Sequence, residues 1–378
     1  MKRFLLFIII IFSLIISWPF IEKQINGSGL ASIFSKASHD VSTFLKSDEM
    51  QDAVRLINSI VIGMVEQIEN SIDKENPESS HSIEIDKPTL TLPEDNTFSI
   101  HNIEIGETKD VVEQKLGDPK RVSLNEYGSK WHAYHEEYHN FVKVIYNQNN
   151  QVIGLYTNQD IISSTEGIEW GTSKQSVREH LGSPLDTIQK GFVYYQIDKD
   201  ADYDIFQLDD SFITIFYDKH MNNTVTSIQI IHEDLENAKE GFYTEANVQL
   251  REGLEHQMFD LTNAVRRNHG LPILTWDEHV KETARKHSLD MADNSYFDHT
   301  NLEGKSPFDR LKEDDLFFTA AGENLAYGQF SSIFAHEGLM NSLGHRKNIL
   351  QSDFEYLGVG VAFNSENHPY YTQNFYAK

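Results

Sequence analysis

Two stretches of this chain carry the same punctuation. Ile103-Glu104-Ile105-Gly106 is followed by Val111-Val112 and then by Lys115-Leu116-Gly117-Asp118-Pro119. Ile168-Glu169-Trp170-Gly171 is followed by Val177 and then by His180-Leu181-Gly182-Ser183-Pro184. In each copy a glycine turn, with Thr108 or Ser173 beyond it, opens a short helix. The Leu-Gly pair closes that helix with a left-handed cap, and the proline forbids its continuation. Alternating apolar segments follow: 141–146 and 151–156 in the first copy, and 192–195, 205–208, 212–217 and 225–230 in the second. A duplication of this kind fixes the middle of the chain as α+β. The copies cover about 100–160 and 165–232 in a domain spanning 98–235. Each reads as a helix on a small antiparallel sheet, and the two make one domain or a close pair.

The remaining length, out of 378 residues, holds a second domain and accessory segments. A net charge of −26 argues against a nucleic-acid partner, which needs a basic footprint. With no cysteine, no disulfide can brace the fold. Lys2-Arg3 precede an apolar run from Phe4 to Trp18 that resumes after Pro19, so residues 1–22 read as an export signal. The run is long for a cleaved signal and barely spans a bilayer. An uncleaved anchor with an extracytoplasmic C-terminus is the first expectation, and a secreted protein is the alternative. Residues 38–72 have helical apolar spacing and lack the basic face of a membrane-surface helix. Residues 73–97, rich in Pro, Ser, Glu and Asp, read as a linker.

Two features of the repeat suggest sites without making them. His132, His135 and His139 have helical spacing, but the second copy aligns them with strand and turn. The acidic run Asp198–Asp204 lacks the glycine and terminal glutamate of a calcium loop and reads as a hairpin loop.

From about residue 245 the pattern turns helical. Leu250, Leu254, Met258, Leu261 and Val265 form one face that ends at His269-Gly270. A second helix runs through Ala284, Leu289 and Met291, a third starts at Ser306-Pro307, and a fourth covers 331–343 with Gly344 ending it. Two strands close the chain, at 357–363 and 370–375. Within this region stand Tyr296-Phe297-Asp298-His299-Thr300, Gly322-Glu323-Asn324-Leu325-Ala326 and Ser342-Leu343-Gly344-His345-Arg346. With the entry motif that ends in Trp276-Asp277, these stretches resemble the CAP superfamily of cysteine-rich secretory, antigen 5 and pathogenesis-related proteins. The repeat resembles the CAP-associated N-terminal domain of bacilli.

The resemblance implies an α-β-α sandwich over 245–378 and a cleft in which His299, Glu323 and His345 meet. Two imidazoles and a carboxylate suit a divalent metal, zinc among the possibilities. The family's second cleft glutamate falls on Ser342 here, a departure. Glu337 is a doubtful replacement ligand, because five helical steps turn it about 140° away from position 342. The implied function is that of an extracytoplasmic protein of a Gram-positive envelope that binds an envelope component or a protein partner. One alternative is a metal-dependent hydrolase of peptide or peptidoglycan, with Glu323 as catalytic base. Another is a carrier of lipid or a small apolar ligand. The N-terminal segment supplies the membrane attachment.

Overall fold

The computed structural model describes residues 85–190 and 193–378. The expected signal segment at 1–22, the helix at 38–72 and linker positions 73–84 lie outside the described residues. Among the described residues no helix is long and apolar enough to cross a membrane.

Residues 85–97 form neither helix nor strand, yet they are pinned to the repeat domain. The Glu104 carboxylate accepts the backbone N–H groups of Glu94, Asp95 and Asn96 at 2.8–3.0 Å. The first copy then runs β1 (Phe98–Ile100), α1 (Lys109–Leu116), β2 (Arg121–Leu124), β3 (Lys130–Glu136), β4 (His139–Tyr146), β5 (Val152–Thr157) and β6 (Ile162–Ser164). The second runs α2 (Lys174–Leu181), β7 (Thr187–Lys190), β8 (Val193–Gln196), β9 (Tyr203–Leu208), β10 (Ser211–Asp218) and β11 (Thr224–His232). Gly117 and Gly182 follow the two helices at φ 74° and 82°, a region open to glycine at little cost. Ile103 and Ile168, and Val112 and Val177, the pairs that the sequence pattern matches, are buried in one core.

The expectation of two small sheets needs correcting. The copies merge edge to edge into one seven-stranded sheet of order β2-β3-β4-β5-β11-β10-β9, with Leu155 opposite Ile230 at the seam. An unpaired strand edge from each copy is thereby satisfied by the other. The three histidines lie on β3 and β4, and the acidic run turns between β8 and β9, its last two residues opening β9.

A short helix, α3 (Glu233–Ala238), leads to the C-terminal domain. Its elements are α4 (Val248–Asn268), β12 (Thr275–Trp276), α5 (Glu278–Asn294), α6 (Pro307–Glu313), β13 (Ala320–Tyr327), α7 (Ser332–Asn341), α8 (Leu343–Ile349), β14 (Tyr356–Phe363) and β15 (Pro369–Ala377). The sheet order is β12-β14-β15-β13, antiparallel except for the β12–β14 pair. Alternation along β14 assigns its two faces. Gly358 and Gly360 meet α5 so closely that an added Cβ would lie 2.2 and 2.0 Å from the backbone nitrogens of Lys281 and Arg285. Val359 and Val361 instead join the core that contains Leu254, Met258 and Leu261 of α4. This is the α-β-α sandwich that the resemblance implied.

The fourth helix differs from expectation. It breaks at Ser342, which has extended backbone (φ −97°, ψ 114°), and Gly344 lies inside α8 rather than ending a helix. His345 therefore sits in the first turn of a helix, not the last.

The repeat and sandwich domains share a core. Trp131, Phe141, Ile145, Tyr156 and Phe216 pack in the same cluster as Leu254, Met258, Leu339 and Phe375. Helix α4 lies between the two and is buried nearly all round. Gly253 allows the approach, since a Cβ there would stand 2.0 Å from the carbonyl oxygen of Leu124. Buried polar groups on α4 find partners across the junction. Asp260 accepts from Arg121 Nε at 3.0 Å and from the Tyr138 hydroxyl at 2.9 Å.

Candidate functional site

The cleft is assembled from four segments. His299 lies in the loop between α5 and α6, Glu323 on β13, His345 in α8 and Arg310 in α6. Helix α6 starts with a reciprocal Ser306–Asp309 capping box and Pro307 at its first position. One turn later Arg310 reaches back over that start. Its Nη1 donates to the carbonyls of His299 and Lys305, at 2.8 and 3.0 Å, and its Nη2 donates to Glu323 Oε2 at 2.6 Å. The other oxygen of Glu323 accepts from His299 Nδ1 at 2.9 Å. An Arg-paired carboxylate offers only acceptor sites, so Nδ1 carries the proton and Nε2 is left open.

Strand β13 is tied to α8 by amide side chains. Asn348 Nδ2 donates to the Glu323 carbonyl at 3.1 Å and to Asn324 Oδ1 at 2.9 Å. Asn324 Nδ2 donates to the His345 carbonyl at 3.1 Å. Gly322 makes room, because a Cβ would lie 3.1 Å from Asn348 Oδ1. The Gly-Glu-Asn sequence is thus one device: a small residue where α8 approaches, an acid for the histidine, and an amide that holds the helix.

The two imidazoles differ electrostatically. The Glu323 hydrogen bond raises the His299 pKa above its ordinary 6.5, against partial burial. Burial lowers that of His345, and the charge of a protonated His299 lowers it further. His345 Nδ1 is buried with no hydrogen-bond partner. His287, on α5 behind the loop, donates from Nε2 to the Asp298 carbonyl at 3.0 Å, and its pKa is lowered by burial.

Glu337 does not join this group. Its Oε1 accepts from the hydroxyls of Tyr156 and Ser227, both at 2.8 Å, at the junction with the repeat domain. The neighbouring His336 is fully buried, and burial lowers its pKa to about 3. With Ser342 in place of an acid and Glu337 engaged elsewhere, the cleft has one carboxylate, and an arginine neutralises it. Among the described residues no group of three or more His, Asp or Glu side chains could hold a metal ion. His299 Nε2 and His345 are the nitrogens these residues leave to offer an ion. They do not fit a resident three-ligand centre. A carboxylate that fixes the tautomer of a ligating histidine has the role Glu323 could serve.

Sequence patterns missed Arg310. Its partner is on another element, and a lone arginine one turn past a helix start carries no motif. The capping box, legible as Ser306-Pro307-Phe308-Asp309, was the available sign that this helix is held rigidly against the histidine loop.

Comparison with known proteins agrees with this architecture. A family model for the CAP-associated N-terminal domain matches residues 105–242, and one described as the cysteine-rich secretory protein family matches 259–375. The uncharacterized membrane protein YlbC of Bacillus subtilis is 30% identical over 289 residues, covering 72% of this chain and 82% of that protein. The uncharacterized protein YkwD of the same organism is 42% identical over 124 residues, 33% of this chain and 47% of that one. Among solved structures, an extracellular SCP-domain protein from Bacillus anthracis superposes with a TM-score of 0.63 at 26% identity, over 78% of this chain and all of that one. A cysteine-rich secretory protein from Staphylococcus aureus gives 0.56 at 17% identity, over 72% and 91%. The chain belongs to the cysteine-rich secretory protein (CAP) family, in the form that carries a CAP-associated domain ahead of the CAP domain.

Proposed function

We propose that this protein is an extracytoplasmic, envelope-associated binding protein whose CAP cleft contacts its ligand through His299 and His345. One observation carries the reading: both oxygens of Glu323 are taken, by His299 and by Arg310. A general base needs a free oxygen within reach of a water or substrate proton. Here the carboxylate orients an imidazole and is locked by a guanidinium. The open His299 Nε2 and the neutral His345 suit hydrogen bonding to a polar group of an envelope component or a protein partner. A divalent ion, zinc among the candidates, would be held by these two imidazoles, and when bound it would supply a positive contact for an anionic group. The placement outside the cytoplasm is supported by the names of relatives, a membrane protein in one case and an extracellular protein in the other.

The test is a paired assay on the parent, His299→Ala, His345→Ala and Glu323→Gln. Retention on isolated cell wall, with and without added zinc, is measured beside release of soluble peptidoglycan fragments. Binding lost in the histidine variants without any release supports the proposal. Release that depends on Glu323 overturns it in favour of a hydrolase.

A further inference from the structure

Glu337, displaced from the cleft, stands at the wall of a groove where the two domains meet. Both donors that hold it, Tyr156 and Ser227, bind Oε1. Among the described residues Oε2 has no hydrogen-bond partner, and it is not among the fully enclosed unpartnered atoms. Glu337 lines a groove of about 280 Å³, at the small end for ligand pockets. Five aromatic residues line it too: Tyr203 and Phe216 from the repeat, Phe242 from the connection, Phe330 and Phe334 from the CAP domain.

The rings are set at steep angles and so present faces in several directions. Tyr203 meets Phe334 at 86°, Phe216 meets Phe334 at 73° and Phe242 meets Phe330 at 72°, with centroids 4.9–5.1 Å apart. The cluster already attracts one cation of the chain, since Lys239 Nζ lies 4.2 Å from the Phe330 centroid. Lys239 does not line the groove. At the rim, Asp202 is matched by Lys219 Nζ at 3.1 Å. Tilted π faces beside a carboxylate form a receptor for a cation with an apolar surface.

We propose that this junction binds an organic ammonium group, with the Glu337 carboxylate as the counter-charge and the partly exposed rings of Tyr203, Phe242, Phe330 and Phe334 as its cage. The site shares no residue with the His299 cleft and does not depend on the function proposed for it. Burial pushes the Glu337 carboxyl up to about 7. A bound cation would therefore draw it into the charged form, and binding would release a proton near neutrality. The ammonium has two possible sources. A quaternary headgroup uses only the ring faces and the charge. A primary amine also brings N–H donors for a polar wall residue such as Gln329.

The test titrates the full chain in detergent with choline chloride and with butylammonium chloride by calorimetry, using sodium chloride as the blank. Saturable binding of either ammonium is expected. Glu337→Gln and Phe242→Leu should each weaken it by about tenfold, as loss of a partly desolvated charge or ring face predicts. A preference for choline identifies a quaternary source, and a preference for butylammonium a primary one. Phe242 is half-buried at the groove edge, so its variant keeps the test decisive if Glu337→Gln misfolds. The proposal fails if neither ammonium saturates, or if a folded variant binds as the parent does.

Discussion

Arg310, Glu323 and His299 act as one unit, and each single change has its own signature. The side chains of Glu323 and Arg310 are nearly fully buried, at 1% and 9% exposure. Arg310→Ala would leave a carboxylate without its cation, and removing one partner of such a pair costs about 3–5 kcal/mol. Arg310→Met combined with Glu323→Gln should recover most of that loss in a denaturant melt, because the stranded charge is gone. A cycle showing simple additivity would contradict the pairing. His299 is half-exposed, so its contribution to stability is small and screened. Its titration is still readable by NMR. The Glu323 bond raises its pKa, so its share of stability is complete below about 6.5 and fades as pH rises through the higher folded value. Glu323→Gln should bring the His299 midpoint down while His345 stays below the ordinary value. The motifs made the two histidines and Glu323 legible, since each sits beside a glycine or a helix end. The arginine was not legible, because its meaning comes only from the approach of α6 to β13.

Two glycines in the CAP domain look alike in sequence and do opposite things. Gly360 faces α5, and a Cβ there would overlap the Arg285 backbone at 2.0–2.4 Å. Backbone cannot move aside as a side chain can, so Gly360→Ala should cost 1–3 kcal/mol or more and lower the melting temperature. Gly344 lies within α8, with nothing within 4 Å of an added Cβ. Gly344→Ala should therefore stabilise the protein by about 0.5–1 kcal/mol, through the entropy glycine loses in a helix. Equal effects of the two would show that the packing has been misassigned. The same residue marks where pattern reading stops. Periodicity gave α4 and the two long strands close to their observed bounds, because buried faces repeat at fixed intervals, and the Ser306-Pro307 pair gave the start of α6. A glycine before a histidine reads as a helix stop, yet the break comes at Ser342. Asn341 explains the shift. It accepts Lys219 N–H at 2.9 Å and donates to the Tyr217 carbonyl at 2.8 Å, contacts to another domain that no local pattern carries.

At the scale of the whole molecule the repeat and CAP segments each carry a complete apolar pattern, which points to domains that fold alone. The structure instead shows one continuous core with α4 at its centre. A fragment of residues 245–378 would expose Leu254, Met258 and Leu339 to water on the side now covered by Trp131, Phe141 and Tyr156. It should lack a cooperative melt, while a fragment of 85–378 keeps one; a sharp transition in the shorter piece would show that the shared cluster is dispensable. With no cysteine available, this shared burial is how a member of the family does without disulfides. The junction also ties stability to pH. Burial, and then the charge of Asp218, lift the Glu337 carboxyl from 4.5 to about 7, against the Tyr156 and Ser227 hydrogen bonds and the charge of Arg346. A carboxyl that holds its proton more tightly when folded favours the folded state at low pH. That advantage is lost as pH rises from about 4.5 through about 7. Glu337→Gln keeps an acceptor for both hydroxyls and cannot ionise. Relative to the parent it should gain little at pH 5 and on the order of 3 kcal/mol above pH 8. Melts across that range check the sign, and a gain confined to acid would mean that Glu337 is ionised and stabilising where it stands.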